Sequence, residues 1–148
     1  MIEVTLDIGA VQDALVQEAN ALRNVLESRI QQKLSGGVLQ TRSGALAASI
    51  QSSVEDDGSA LTIVGYSSGV PYAAIQEFGG KTAAHDIVAV KAKALAFSAG
   101  GGQSFAKMVH HPGSTIPSRS YIGSSFAEMS DEIAAGLKQA ALEALGQG

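Results

Sequence analysis

The sequence predicts an α+β domain: an antiparallel sheet packed by a long N-terminal helix and a C-terminal helix, with a short helix inserted among the strands. Three observations carry this. Ile8, Val11, Leu15, Ala19, Leu22, Leu26, Ile30 and Leu34 recur every three or four positions, the single apolar stripe of an amphipathic helix. SVEDDGSALTIVGY sets two runs around Asp56-Asp57-Gly58-Ser59, a hairpin signal. Phe126, Met129, Ile133, Leu137 and Leu145 mark a second amphipathic helix that ends at Gly146. No internal repeat or separate linker interrupts the chain, so one domain is expected over residues 1–148.

Taken in order, residues 2–6 (IEVTL) alternate and read as a short strand. Asp7 is placed to cap the first helix, which stops at Ser35-Gly36-Gly37. Thr41 or Ser43 is a candidate cap for a short helix over residues 45–50, although the run to Val54 fits an extended chain equally. In the strand that follows, Leu61, Ile63 and Gly65 face one way and Thr62, Val64 and Tyr66 the other. Residues 70–80 (VPYAAIQEFGG) predict a short helix, with Pro71 suited to its first position. Tyr72, Ile75 and Phe78 share one face. Gly79 and Gly80 form the stop, where a left-handed residue is expected. Residues 87–98 alternate as one or two strands, and SFAKMVHH is the returning strand. The triglycine run within residues 99–103 is the tip between them, expected to be mobile in a free subunit and ordered in an assembly. Pro112-Gly113 and Pro117 make residues 111–120 a loop. Ser125 with Glu128 is a capping-box pattern for the last helix.

At 148 residues the chain is long enough for a sizeable core. Charged residues make up 16%, against about 25% for an average globular domain, which suggests surface hidden in an assembly. There are no cysteines, so disulfides and thiolate metal sites are excluded. MIEVTLDIGA has no basic region or long apolar run, so no signal peptide is expected, and no run reaches membrane-spanning length. Lys81, Lys91, Lys93, Lys107 and Arg119 gather in residues 81–120 with one acid, Asp86, while both ends of the chain are acidic. That pattern fits solvated surface, or a basic segment that meets the acidic helices of a neighbour.

No constellation points to chemistry. His110 and His111 are adjacent and would point to opposite faces of a strand. His85-Asp86 is distant in sequence, and no metalloprotease spacing is present. Ser43 and Ser98 lack a nucleophile elbow, and Gly100-Gly101-Gly102 lacks the strand, lysine and helix of a phosphate cradle. Few aromatic residues flank the basic segment of this acidic chain, which argues against sequence-specific nucleic-acid binding. What remains are interface-prone types: Tyr72, Phe78, Arg119 and Tyr121. The three aromatics fit core packing as well.

Four pieces, in order, resemble the tail-completion and neck proteins of tailed bacteriophages, the virion-morphogenesis and tail-component type. Thr41-Arg42-Ser43-Gly44-Ala45-Leu46 with Ser49-Ile50 is similar to T-G-x-L-x-x-S-I, with serine-glycine for threonine-glycine. Tyr72-Ala73 with Glu77-Phe78-Gly79-Gly80 is similar to Y-A-x-x-x-E-F-G. His111-Pro112-Gly113-Ser114 before Ile116-Pro117 is similar to H-P-G-T-x-x-P. Pro117-Ser118-Arg119-Ser120-Tyr121-Ile122-Gly123 is similar to I-P-x-R-P-F-L-G, with Ser120 for proline and Tyr121 for phenylalanine.

The resemblance spans residues 41–123 and implies a non-enzymatic structural protein, without cofactor or metal. Such a subunit forms a homo-oligomeric ring, expected to be a hexamer, at the head–tail junction or tail end. The role is tail completion or neck, or alternatively head closure or tail terminator. Its implied partners are head connector or portal-adaptor proteins and tail terminator or tail tube proteins. Genome DNA would pass through the ring, and no membrane is involved. The location is the virion, after assembly in the host cytoplasm. Its interface or motif residues are Arg42, Gly44, Leu46, Tyr72, Glu77, Phe78, Gly79, Gly80, Pro112, Gly113, Pro117, Arg119 and Tyr121. The alternative from another class is a small metal-dependent hydrolase using His85, Asp86, His110 or His111. Within the resemblance, Glu77 is expected to be shielded and to pair with the Arg119 guanidinium, within one subunit or across the ring.

Overall fold

The structure, a computed structural model, describes residues 7–39 and 43–146. The expected strand at residues 2–6, Thr41 and the motif residue Arg42 lie outside the described residues. Helix α1 runs Ile8–Gln32, and the Asp7 carboxylate accepts from the Ala10 N–H at 3.0 Å, capping it as its position predicts. The stripe buries Ala19, Leu22, Leu26 and Ile30, while Ile8 at the first turn stays exposed. A π-type turn, Lys33–Gly37, ends the helix, with Gly36 at φ 119°. Helix α4 spans Gly123–Gly146. Ion pairs from Arg29 to Glu132 (2.7 Å) and from Lys33 to Glu128 (2.6 Å) join late α1 to early α4, so the two helices run antiparallel.

Residues 45–54 combine the two alternatives. Helix α2, Ala45–Ala48, is followed directly by strand β1, Ile50–Asp56. Strand β2, Leu61–Ser67, pairs antiparallel with β1 over its whole length, from Ile50 opposite Ser67 to Asp56 opposite Leu61. The Asp57 carboxylate locks the turn by accepting from the Ser59 and Ala60 N–H groups, both at 2.8 Å. This hairpin packs on α1. The core joins Leu26, Ile30, Leu34, Ile50, Tyr121 and Met129, with Leu46, Ile63, Ile122 and Phe126 packed around it.

The short helix α3 is Ala73–Phe78. Pro71 lies in the turn before it rather than at its first position, and the Ala73 N–H bonds back to the Val70 carbonyl at 3.1 Å. The chain from Gly80 to Ile116 then forms a long antiparallel ribbon of three nested ladders. Strand β3, Gly80–Lys81, pairs with β8, Thr115–Ile116; β4, His85–Val88, pairs with β7, Met108–His111; β5, Leu95–Ala99, pairs with β6, Gly102–Ala106. Pairing is antiparallel throughout, as expected, but in four two-stranded sheets rather than one continuous sheet. Residues 87–98 give two strands separated by residues 89–94, which bulge opposite Lys107; the Ala89 N–H reaches the Lys107 carbonyl at 3.1 Å. Val90 and Ala92 continue the alternation without pairing, because alternation alone does not separate a strand from an extended loop. Residues 111–120 contain β8 as well as loop. At the tip Gly100 and Gly101 both have positive φ, as a two-residue type I′ turn requires.

Gly79 ends α3 at φ 71° and ψ −179°. The φ is positive, as expected of the stop, but ψ is extended rather than left-handed helical. A Cβ there would stand 2.7 Å from the Ser118 nitrogen and 2.9 Å from the Ile116 carbonyl oxygen. Gly79→Ala is therefore expected to cost about 3 kcal/mol or more, combining strain and collision with backbone. Gly58→Ala, at φ 83° in open space, is expected to cost about 1 kcal/mol. Urea unfolding of the two variants checks the contrast.

Candidate functional site

Helix α3 buries the opposite face from the one its apolar spacing indicates. Ala73 and Glu77 are buried, whereas Tyr72 is 43% and Phe78 79% exposed. The reason lies in α4, whose first N–H groups have no partner within their own helix. Glu77 sits one turn after Ala73 and delivers its carboxylate to them. One oxygen, Oε1, accepts from the Ser120 hydroxyl at 2.6 Å and the Gly123 N–H at 2.8 Å. The other, Oε2, accepts from the Tyr121 N–H at 2.8 Å and the Ile122 N–H at 3.0 Å. The positive end of α4's dipole favours a negative charge at this place.

The contact is reciprocal. The last carbonyls of α3 also lack partners within their helix, and the segment leading into α4 supplies them. The Ser118 hydroxyl donates to the Glu77 carbonyl at 2.7 Å, and the Arg119 N–H donates to the Gln76 carbonyl at 2.8 Å. The Tyr121 hydroxyl donates to the Ala73 carbonyl at 3.2 Å. Burial pushes the Glu77 carboxyl up, but the bonds from Ser120, Ile122, Tyr121 and Gly123 outweigh it and hold the group below its ordinary value. Burial, reinforced by the Glu77 charge, pushes the Tyr121 phenol up.

The capping box expected at Ser125 and Glu128 does not form. Ser125 is buried and donates to the Tyr121 carbonyl at 2.6 Å, while Glu128 is paired with Lys33. The capping serine is Ser120, whose hydroxyl accepts from the Ser124 N–H at 2.9 Å while donating to Glu77. Sequence reasoning missed Ser118 and Ser120. The available signal was a serine just before the helix, with Ser118, Ser120, Ser124 and Ser125 competing for the role.

Within the subunit the Glu77–Arg119 ion pair does not form. Arg119 joins α3 through its backbone, and its exposed side chain has no ion-pair partner among the described residues. It lies on a cleft of about 690 Å³ whose walls are the π-type turn after α1 with Val38 and Leu39, the start of α2 and the face of α3. Leu34, Gly44, Leu46, Tyr72 and Gln76 line this cleft, and the Gln76 side-chain oxygen is buried there without a donor.

The remaining motif residues fall around the same junction. Gly79 brings α3 against the backbone of residues 116–118, including Pro117, and Gly80 begins the ribbon. Pro112 is exposed, and Gly113, at φ 86°, packs so closely on the Thr82 carbonyl that a side chain would collide with it. Thr82 and Ser114 bond across the ribbon base, at 2.9 Å from the Thr82 N–H and 2.8 Å from the Ser114 N–H. Of the aromatics placed either in core or at an interface, Tyr121 is core, and Tyr72 and Phe78 face outward.

The three histidines and Asp86 stand as two pairs on opposite faces of the β4–β7 ladder. His110 contacts Asp86 at 2.7 Å, and the His85 and His111 rings stack 5.2 Å apart. His111 Nδ1 accepts from the Gly113 N–H at 3.0 Å, so its lone pair is already engaged.

Two outcomes follow for solution experiments. The folded-state pKa of Glu77 is depressed, so its contribution to stability is present above the unfolded-chain value of ~4.3 and is lost as pH falls through the folded value. Glu77→Gln is expected to lose about 1.5–3 kcal/mol at pH 7 and to have a flatter stability profile below pH ~4.3 than the parent chain. Denaturant titrations from about pH 2.5 to about pH 7 read both. A double-mutant cycle of Glu77→Gln with Arg119→Gln is expected to be additive within ~0.5 kcal/mol, whereas Glu77→Gln with Ser120→Ala is expected to couple by ~0.5–3 kcal/mol.

Comparison with protein-family models, with curated proteins and with solved structures finds no match.

Proposed function

We propose that this chain is a non-enzymatic structural protein of a tailed-bacteriophage virion, a ring-forming subunit of tail-completion or neck type at the head–tail junction or tail end. The observation that supports it is convergence. The four pieces that carry the resemblance are scattered over residues 41–123, yet they meet around one junction. Gly44 and Leu46 of the first line the cleft, as do Tyr72 of the second and Arg119 of the fourth. Glu77 of the second piece is bonded to Ser120 and the residues after it in the fourth. Gly113 of the third packs at the base of the ribbon that leaves this junction. Residues selected for one shared fold are expected to meet in space in this way.

The exposure of Tyr72, at the cleft, and of Phe78 adds to the reading, because outward aromatics are the type of residue that anchors partners. Head connector or portal-adaptor proteins on one side, and tail terminator or tail tube proteins on the other, are the partners this role requires. The hydrolase reading draws on His85, Asp86, His110 or His111, and these stand as two pairs on opposite faces of the ladder, with no cluster of three metal-ligating side chains among the described residues.

Electron microscopy of assembled particles carrying a labelled copy of the chain tests the proposal. The expected result is label in a ring at the neck or tail end. Label spread over the head shell, or absent from particles, overturns it. Stoichiometric zinc or manganese in the purified protein would favour the hydrolase instead.

A further inference from the structure

The ribbon from Gly80 to Ile116 carries apolar side chains that its own subunit does not cover. Val88 is 56%, Val90 91%, Phe105 66% and Met108 57% exposed. Val88 and Met108 stand opposite each other in the β4–β7 ladder and share one face. A two-stranded ribbon is marginal in water without a surface to pack on. The ribbon is also basic: Lys81, Lys91, Lys93 and Lys107 are all exposed, and its single acid, Asp86, is taken by His110. The rest of the chain has the opposite balance, six basic residues against thirteen acidic ones.

We infer that the ribbon of one copy docks on the α1–α4 helical pair of the next copy, at the exposed apolar and acidic end formed by Leu142, Glu143 and Leu145 with Ile8. Leu142 is 58% and Leu145 45% exposed, with Glu143 between them, and Ile8 is 74% exposed. The antiparallel register fixed by Arg29–Glu132 and Lys33–Glu128 sets the end of α4 opposite Leu15 of α1, and the first turns of α1, with Ile8 and Asp13, extend past it. Asp13, one turn on from Ile8 and Gly9, is exposed and adds negative charge at this end.

Apolar surface bordered by carboxylates matches apolar surface bordered by lysines, and such complementarity fixes which surfaces meet. Position supports the same match. The ribbon leaves the body beside the first turn of α4, and the receiving surface is at the other end of that helix, ~36 Å away at 1.5 Å per residue. The donating and receiving surfaces are therefore different. A contact between two different surfaces propagates head to tail and closes into a ring when the rotation allows. The inference rests on the proposed ring in requiring a second copy, and it identifies the surfaces that copy uses.

The test places a photo-reactive benzoylphenylalanine at Phe105 in isotopically heavy protein and mixes it with light protein. Cross-linked peptides that join a heavy ribbon to the light α4 end or the light α1 start are expected. Lys91→Glu, Lys93→Glu and Lys107→Glu together are expected to weaken self-association at least about tenfold by sedimentation. Glu143→Lys with Asp13→Lys is expected to restore part of it. Thermal unfolding should be unchanged in all of these, since none of the residues is in the core. Cross-links confined to one copy or landing elsewhere, unaltered association of the triple variant, or a parent chain that stays monomeric overturns the inference. Labelled particles decide the virion reading separately: misplaced cross-links with label at the neck remove this docking alone, and label absent from particles removes the neck role alone.

Discussion

One carboxylate ties the molecule together. Glu77 is 6% exposed, and a bare charge in such a place would be driven to neutralise. It stays ionised because the Ser120 hydroxyl and three consecutive N–H groups converge on it. Those same N–H groups would otherwise be unsatisfied at the head of a long helix. The burial of the acid and the exposure of the helix end are two unfavourable terms that cancel when they are brought together. Ser118 and Arg119 do the reverse service for the carbonyls of α3. Neither helix end is complete alone, so the short helix, too small to persist by itself, is held by the long one.

This mutual capping also fixes where the ribbon begins. Gly79 follows Glu77 directly, and its positive φ turns the chain against residues 116–118. The outgoing strand at Gly80 thus starts beside the returning strand at Ile116. From that point, each ladder continues the last without help from the body. A side chain at Gly79 would separate the strands at their base, so the constraint at Glu77 reaches the ribbon through backbone geometry.

What could be read in the sequence follows from the kind of signal each element leaves. Helices α1 and α4 and the β1–β2 hairpin are long and periodic, and the apolar period reports their core faces except at the outer ends of the two helices, where Ile8 and Leu145 are exposed. The cap at Asp7 was legible because its partner is three residues away. The cap on α4 was not, because its acceptor lies more than forty residues earlier in the chain. Apolar spacing in α3 put Tyr72, Ile75 and Phe78 on one face and left core and interface both open; the unsatisfied N–H groups at the head of α4 turned Glu77 inward and left Tyr72 and Phe78 exposed. The Glu77–Arg119 pair was inferred from opposite charges in neighbouring motifs. Backbone donors supplied the neutralising partners instead, and they leave no mark in a list of side chains. Strand β8 was hidden because two paired residues between Gly113 and Pro117 are too few to show a period.

The chain therefore has two parts with different needs. The body buries Leu26, Ile30, Leu34, Ile50, Tyr121 and Met129 among its own elements, and it needs no second molecule to exclude water. The ribbon presents Val88, Val90, Phe105 and Met108 to solvent, and pairing of its strands satisfies backbone groups without covering those side chains. Hydrogen bonds between two strands exchange for bonds to water at little net gain, whereas covering apolar area is favourable roughly in proportion to the area removed from water. A ribbon held at its base by the Glu77 junction would meet the proposed partner from a fixed point and direction. Less orientational freedom is then lost on docking than a loose tail would lose, which is the advantage of rooting a long exposed element on a buried, fully bonded charge.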